Sequence, residues 1–346
     1  MVVGANKIMR FFNFCYISLP LISFALLGWI APRANAALLV GSYNNNSVLR
    51  YDEKTGEFID DFVPSGSGGL KGATGLTIGP DKNLYVSSIL SGSVQRYDGK
   101  TGNFISTFVP SLSGGLDTPE DLVFGPDSNL YVTSINSRTS NSVLRYNGKT
   151  GAFIDTFVPS GSGGLSAPFS LSFGSDGNLY VSSSLTDSVL RYNGQTGAFI
   201  DTFATEEKGS EAGGLTFGPD GNLYVANFKA NNISRFNGKT GAFIDTFVPA
   251  GSGGLNDPVK PIFGTDGNLY VSGLNSNNVL RYDGKTGAFL DTFVPAGTGG
   301  LNGAGFLAFT EDSTVVPEPR MGLAVLALGA MLGASKVLSR KQKATS

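Results

Sequence analysis

The sequence predicts an all-β fold, a closed six-bladed β-propeller with four-stranded blades, and three observations carry that expectation. A phrase close to L-x-F-G-x-D-G-N-L-Y-V-S-S, followed by S-V-L-R-Y-N-G-K-T-G-A-F-I-D-T-F-V-P, recurs along most of the chain. Its Arg-Tyr or Arg-Phe pair falls at Arg50, Arg96, Arg145, Arg191, Arg235 and Arg281, with spacings of 46, 49, 46, 44 and 46 residues. A period in the forties that carries four short strand signals has the length of one propeller blade. The two ends of the repeat are also out of phase, in the way a ring requires.

The elements follow in order. Residues 1–36 read as a signal peptide: Lys7 and Arg10 precede an apolar run from Phe11 to Ile30, and Ala34-Asn35-Ala36 offers a small-x-small site with cleavage expected after Ala36. The propeller is expected over 37–312. In its second repeat the four runs are Asp121–Phe124, Asn129–Thr133, Ser142–Tyr146 and Ala152–Val158, rich in branched and aromatic residues and bounded by Gly, Pro, Asn and Asp. Gly-Pro-Asp-x-Asn and Asn-Gly-Lys-Thr-Gly supply the turns, because Gly and Asn accept positive φ at little cost.

The repeat begins in mid-phrase, since Leu38–Ser42 matches the second strand, and it stops after Gly305–Phe309, which matches the first. The sixth blade is therefore expected to join one C-terminal strand to three N-terminal ones. Such a blade leaves no open sheet edge between the ends of the ring. A linker, 313–320, carries Val316-Pro317-Glu318-Pro319, and an apolar stretch follows over 321–339. As a helix those nineteen residues would rise about 28 Å, close to a bilayer core of about 30 Å, so a transmembrane helix is expected. The tail 340–346 holds Arg340, Lys341 and Lys343, which places it in the cytoplasm.

Composition narrows the chemistry. The chain has no histidine, and its only cysteine and tryptophan, Cys15 and Trp29, precede the expected cleavage point. A mature chain of this kind cannot assemble a Ser-His-Asp or Cys-His nucleophile, nor a zinc site of the usual nitrogen and sulfur ligands. Of 25 basic residues three lie in 1–36 and five in 320–346, with no acids in either, so the middle carries ten more acids than bases. That balance argues against a nucleic acid partner.

The order of Pro-Glu-Pro, apolar helix and terminal basic cluster resembles the PEP-CTERM sorting signal of exosortase-processed bacterial proteins. The resemblance covers 316–346. It implies an exosortase-type sorting protease as partner, membrane anchorage before processing, and a destination at the cell surface or beyond it. The propeller region resembles the NHL and streptogramin-lyase-like propellers through Gly-Pro-Asp-Gly-Asn-Leu-Tyr-Val at 218–225 and its cousins, and lactonase propellers share a similar phrase. The lyase resemblance implies an active-site histidine and a divalent metal, and this chain has no histidine for the role.

In a ring of near-copies, a unique site must come from positions that break the repeat. Arg145 and Asp155 recur in every blade, except that Ser106 replaces the aspartate once, so they read as ion pairs within blades. Departures gather just before the innermost strands. The counterparts of Glu120 are Thr74, Phe169, Gly213, Val259 and Gly305, and those of Asp121 are Gly75, Ser170, Gly214, Lys260 and Phe306.

Glu211 enters the same approach, and the long loop around Arg138 explains the 49-residue spacing. Glu120, Asp121, Arg138, Glu211 and Lys260 are the candidate ligand-binding residues, with Tyr43, Phe169, Phe228 and Phe306 as the aromatics nearest them. Asn44, Asn45, Asn46, Asn231, Asn232, Asn275, Asn277 and Asn278 suit either sugar hydroxyls or plain turns.

Two functions follow as expectations. One is an exported, non-catalytic binding or matrix module for an exopolysaccharide, other glycan or surface protein. The other is a lactonase or lyase that uses Glu120, Asp121 and Glu211 around Ca2+.

Overall fold

The computed structural model describes residues 36–135 and 141–310, which form six antiparallel four-stranded sheets. The signal run, the Pro317-Glu318-Pro319 motif, the apolar stretch 321–339 and Arg138 lie outside the described residues. Among the described residues no helix is long and apolar enough to cross a membrane.

The innermost strands are β4 (Ala73–Ile78), β8 (Pro119–Phe124), β12 (Pro168–Phe173), β16 (Ala212–Phe217), β20 (Pro258–Phe263) and β24 (Ala304–Phe309). They open blades 1 to 6 in turn, and each touches the next around a closed ring, β24 meeting β4. Blade 2 therefore faces blade 5 across the axis, and blade 3 faces blade 6.

The shared blade forms as the phase shift predicts. Its order is β24, β1 (Ala37–Ser42), β2 (Ser47–Asp52) and β3 (Phe58–Val63), with Leu38 opposite Phe309 and Leu39 opposite Ala308. One residue records where the chain was cut. Gly99, Gly148, Gly194, Gly238 and Gly284 follow the third strands, and a Cβ at any of them would collide with a carbonyl oxygen of the turn joining the first and second strands. In the shared blade that connection does not exist, and Glu53 stands at the glycine position.

The core lies between blades rather than within them. Each buried apolar cluster joins two neighbours: Tyr85, Val94 and Phe108 of blade 1, for example, pack with Leu122, Leu130 and Val132 of blade 2. Leu38, Val40 and Tyr51 join the shared blade to blade 5, while Leu39, Val48 and Phe62 join it to blade 1. A strand buried on both faces needs apolar residues on both, which is why the alternation in sequence is imperfect.

The repeated charged pair is local, as the sequence implies. Arg145 binds Asp155 through Nε and Nη2 at 3.1 and 2.5 Å, directly across the hairpin. The pair sits near the outer rim, with the Asp155 side chain 43% exposed. In blade 1 Ser106 faces Arg96, which keeps Asp81 at 3.9 Å.

Candidate binding site at the channel mouth

The links between blades carry the chain from an outermost strand back to the next innermost one, all on one face of the ring. There the backbone N–H groups of Tyr43, Ile89, Ile135, Ser184, Phe228 and Leu274 donate to the carbonyls of Gly303, Gly72, Thr118, Ala167, Glu211 and Asp257, at 2.9 to 3.1 Å. These bonds fix one residue per blade around the mouth of the central channel, and all but Ser184 are half-buried apolar or aromatic side chains.

Below the mouth the ring closes on itself. At its narrowest level the six positions are Gly75, Asp121, Ser170, Gly214, Lys260 and Phe306, three small residues making room for three large ones. A Cβ at Gly75 would meet Asp121, and one at Gly214 would meet Lys260. Lys260 reaches across the ring from blade 5 to blade 2 and places its Nζ 2.6 Å from Asp121 Oδ2.

The same oxygen accepts from Ser170 Oγ at 2.6 Å and from the Leu171 N–H at 3.3 Å, while Oδ1 accepts the Leu122 N–H at 2.9 Å. The Asp121 side chain is fully buried, and Lys260 keeps 16% exposure. Phe306 lies 5.6 Å beneath the ammonium, a cation–π contact, and stacks at 5.4 Å on Phe169 from the opposite blade. Phe228 closes edge-on against Phe169 at 4.5 Å. The pair and the three rings thus lie together across the middle of the ring.

Asp121 and Lys260 are thus brought together, but they hold each other. Asp121 and its counterpart Lys260 lie inside β8 and β20, as their runs suggest, and Glu120 also lies inside β8 rather than in the approach to it. Pairing starts two residues earlier than the apolar run suggests, at Pro119 with Ser134, and the ladder slips before Leu122 meets Val132.

Glu120 precedes Asp121 in β8 and is half-buried. Burial pushes its carboxyl up to about 8, and the charge of Asp121 adds to the effect, which favours the protonated form. Glu211 sits apart in the link before β16, with its backbone at φ 54° and its N–H held by Asp187 at 2.7 Å.

This donor set does not suit a calcium ion. Asp121 has both oxygens engaged, Glu211 sits apart, and six to eight oxygens are required. Among the described residues no group of three or more acidic or cysteine side chains converges on one point.

Sequence reasoning missed three exposed leucines on this face. Leu90, Leu112 and Leu185 are 64%, 73% and 69% exposed, more than any other large apolar residue described. Leu112 also holds φ 64°, where four other links place Gly66, Gly161, Gly251 or Gly297. The signal was present in the repeat, as a leucine where its counterparts have glycine.

The asparagines behave mainly as turn residues. Asn46, Asn231 and Asn277 each accept, through Oδ1, the link N–H of Gly72, Asp257 or Gly303 at 2.7 to 2.8 Å. Asn44 and Asn45 bond Asn302 and Gly300 of a neighbouring link, beside a polar cleft of about 400 Å³.

No family model matches the chain, and no curated protein matches it. Solved structures do. A chain of a nidogen/laminin complex aligns with a TM-score of 0.60 at 17% identity, covering 80% of this chain and 98% of that one. A protein of unknown function from Bacteroides caccae gives 0.61 at 14%, covering 80% and 99%. A catalytically inactive virginiamycin B lyase from Staphylococcus aureus, bound to quinupristin, gives 0.51 at 15%, covering 82% and 94%. At these identities the likeness is one of fold: the neighbours are NHL-like and streptogramin-lyase-like six-bladed propellers.

Proposed function

We propose that this chain is an exported, surface-sorted propeller without catalytic activity, whose mouth face binds a protein partner. The observation that carries the reading is the apolar character of that face. Leu90, Leu112 and Leu185 stand exposed on that face, which also carries the half-buried Tyr43, Ile89, Ile135, Phe228 and Leu274. Exposed apolar groups gathered on one face are a mark of protein association, whereas sugar recognition relies more on polar groups. Leu112 supports the reading, since a bulky residue in left-handed backbone costs roughly 1–2 kcal/mol and needs a reason to stay. A similar chain was crystallised in a nidogen/laminin complex, which supports a protein partner here.

Export rests on the signal-like run ending at Ala36, and surface sorting on Pro317, Glu318 and Pro319. In this reading an exosortase-type protease processes the C-terminal segment and leaves the ring at the cell surface.

Arrays of extracellular proteins and of glycans, probed with the wild-type protein and with Leu90→Asp and Leu185→Asp, test the binding claim. Protein hits weakened at least tenfold (about 1.4 kcal/mol) by either substitution are expected. A glycan hit indifferent to both, or turnover of a lactone or cyclic depsipeptide, would overturn it.

A further inference from the structure

The link from blade 3 to blade 4 departs from the other five in composition and length. Those five end in Gly-Gly-Leu and bury the leucine, at Leu70, Leu116, Leu165, Leu255 and Leu301. This one reads Thr205-Glu-Glu-Lys-Gly-Ser-Glu211 and buries Glu206, which is 9% exposed.

Blade 4 changes to match. Ser234 stands where four other blades have leucine, and Asn227 where four have serine. Glu206 Oε2 accepts from Ser234 Oγ at 2.8 Å, and Ser234 accepts from Asn227 Nδ2 at 3.0 Å. Asn227 spends its remaining amide hydrogen on Asn232 Oδ1 at 2.9 Å. Two buried oxygens, Glu206 Oε1 and Asn227 Oδ1, are left without a donor.

A carboxylate this buried requires a cation or a proton. Among the described residues no lysine or arginine is paired with it. The strands packed on it, β17 (Leu223–Asn227) and β18 (Asn232–Phe236), offer the neutral Asn227, Asn232 and Ser234. The charged group set against it from a neighbouring element is Asp187, an acid. Within the link itself Glu207 and Lys208 are exposed and Glu211 is half-buried.

Asp187 already holds the link, taking the N–H of Gly209 and of Glu211 at 2.7 Å, and its own carbonyl takes the N–H of Glu206 at 2.8 Å. It occupies the turn position that Asn46, Asn231 and Asn277 fill elsewhere, so a second charge arriving here meets an existing one.

We propose that Glu206 is a proton-operated latch: protonated, it seals the link Thr205–Glu211 onto blade 4, and on losing its proton it releases the link into solvent. Burial pushes its carboxyl up to about 7, helped by the charge of Asp187 and opposed by the hydrogen bond from Ser234 and the nearby Asn227 amide. In the released link the acid returns to its ordinary range near 4.3. The closed form thus binds the proton more tightly, and its advantage, complete below that range, falls as pH rises and is gone above about 7. The latch does not depend on the binding reading of the mouth.

Hydrogen exchange of the full chain, followed peptide by peptide at pH 5 and pH 8 and corrected for intrinsic rates, tests it. Opening of 205–212 should increase about tenfold or more in the wild type, with other links unchanged. In Glu206→Gln, which stays neutral, the increase should vanish. Equal pH dependence in both proteins would overturn the latch. So would protection at pH 8 restored by millimolar sodium, calcium or magnesium, because a cation and not a proton would then occupy the site. Glu206→Leu, which restores an apolar plug, keeps the test open should the glutamine variant fold poorly; it too should lose the pH response.

Discussion

Blade 4 and blade 2 are written in nearly the same phrase, yet they are fastened to the ring by different chemistry. In blade 2 the third-strand Tyr146 donates its hydroxyl to the carbonyl of Ser113 in the preceding link, at 2.8 Å. Tyr51, Tyr97, Tyr192 and Tyr282 make the same bond to Thr298, Ser67, Ser162 and Ser252. In blade 4 the link has no such turn, and the residue is Phe236, which needs no acceptor.

A second glycine position tells the same story. In five links a Cβ at the middle glycine would strike the ring of the next outer-strand phenylalanine, as Gly114 would strike Phe153. Phe243 of blade 4 lacks that platform and is 58% exposed, against 39–41% for its five counterparts. Glu206, Asn227, Ser234 and Phe236 therefore depart together, while Phe243 keeps its identity and loses its cover. Within one chain the repeat serves as its own alignment: shared residues show what any blade needs, and correlated departures show a second, coherent way of meeting the same need.

The comparison can be broken most severely at the seam. Deleting Ala304–Phe309 removes the innermost strand of the shared blade, with buried Phe306 and Leu307 and the ladder to β1. The loss of apolar burial and hydrogen bonds should exceed a domain stability of about 5–15 kcal/mol, so no cooperative thermal transition is expected. A chain ended after Thr310 should melt cooperatively; equal melts for the two would refute the shared blade.

A smaller effect separates the two fastenings directly. Phe236→Tyr buries a hydroxyl with no partner and should cost about 1–3 kcal/mol, whereas Tyr146→Phe should cost about 0.5–1.5. Urea titrations of both would blunt the comparison if Phe236→Tyr proved neutral. Smallest should be Asp155→Asn. Its side chain is nearly half exposed, so the outer pair should contribute below about 1 kcal/mol and weaken in salt.

The sequence made the scaffold legible because every blade repeats it. The period, the strands, the shared blade and the Arg145–Asp155 type of pair all follow from residues that recur. The site was legible only in part. Asp121 and Lys260 stood out as departures, but nothing in a linear chain says that blades 2 and 5 face each other, so a contact 139 residues long was invisible. They read as groups offered to a ligand, and the structure has them satisfying one another. Glu206 was passed over because a charged residue in a polar link looks like solvated surface. Only the missing leucine beside it, and Ser234 where leucine recurs, mark it as buried.

The central claim is that Asp121 and Lys260 pair across the ring, joining blade 2 to blade 5. A double-mutant cycle read by urea denaturation tests this most directly, with Asp121→Ala, Lys260→Ala and both together. Removing either partner alone leaves a buried charge without compensation, at a cost of about 3–5 kcal/mol. The account predicts that the second substitution costs far less once the first is made, a coupling of about 2 kcal/mol or more. Strictly additive losses would contradict it, and the two side chains would then not be paired across the ring.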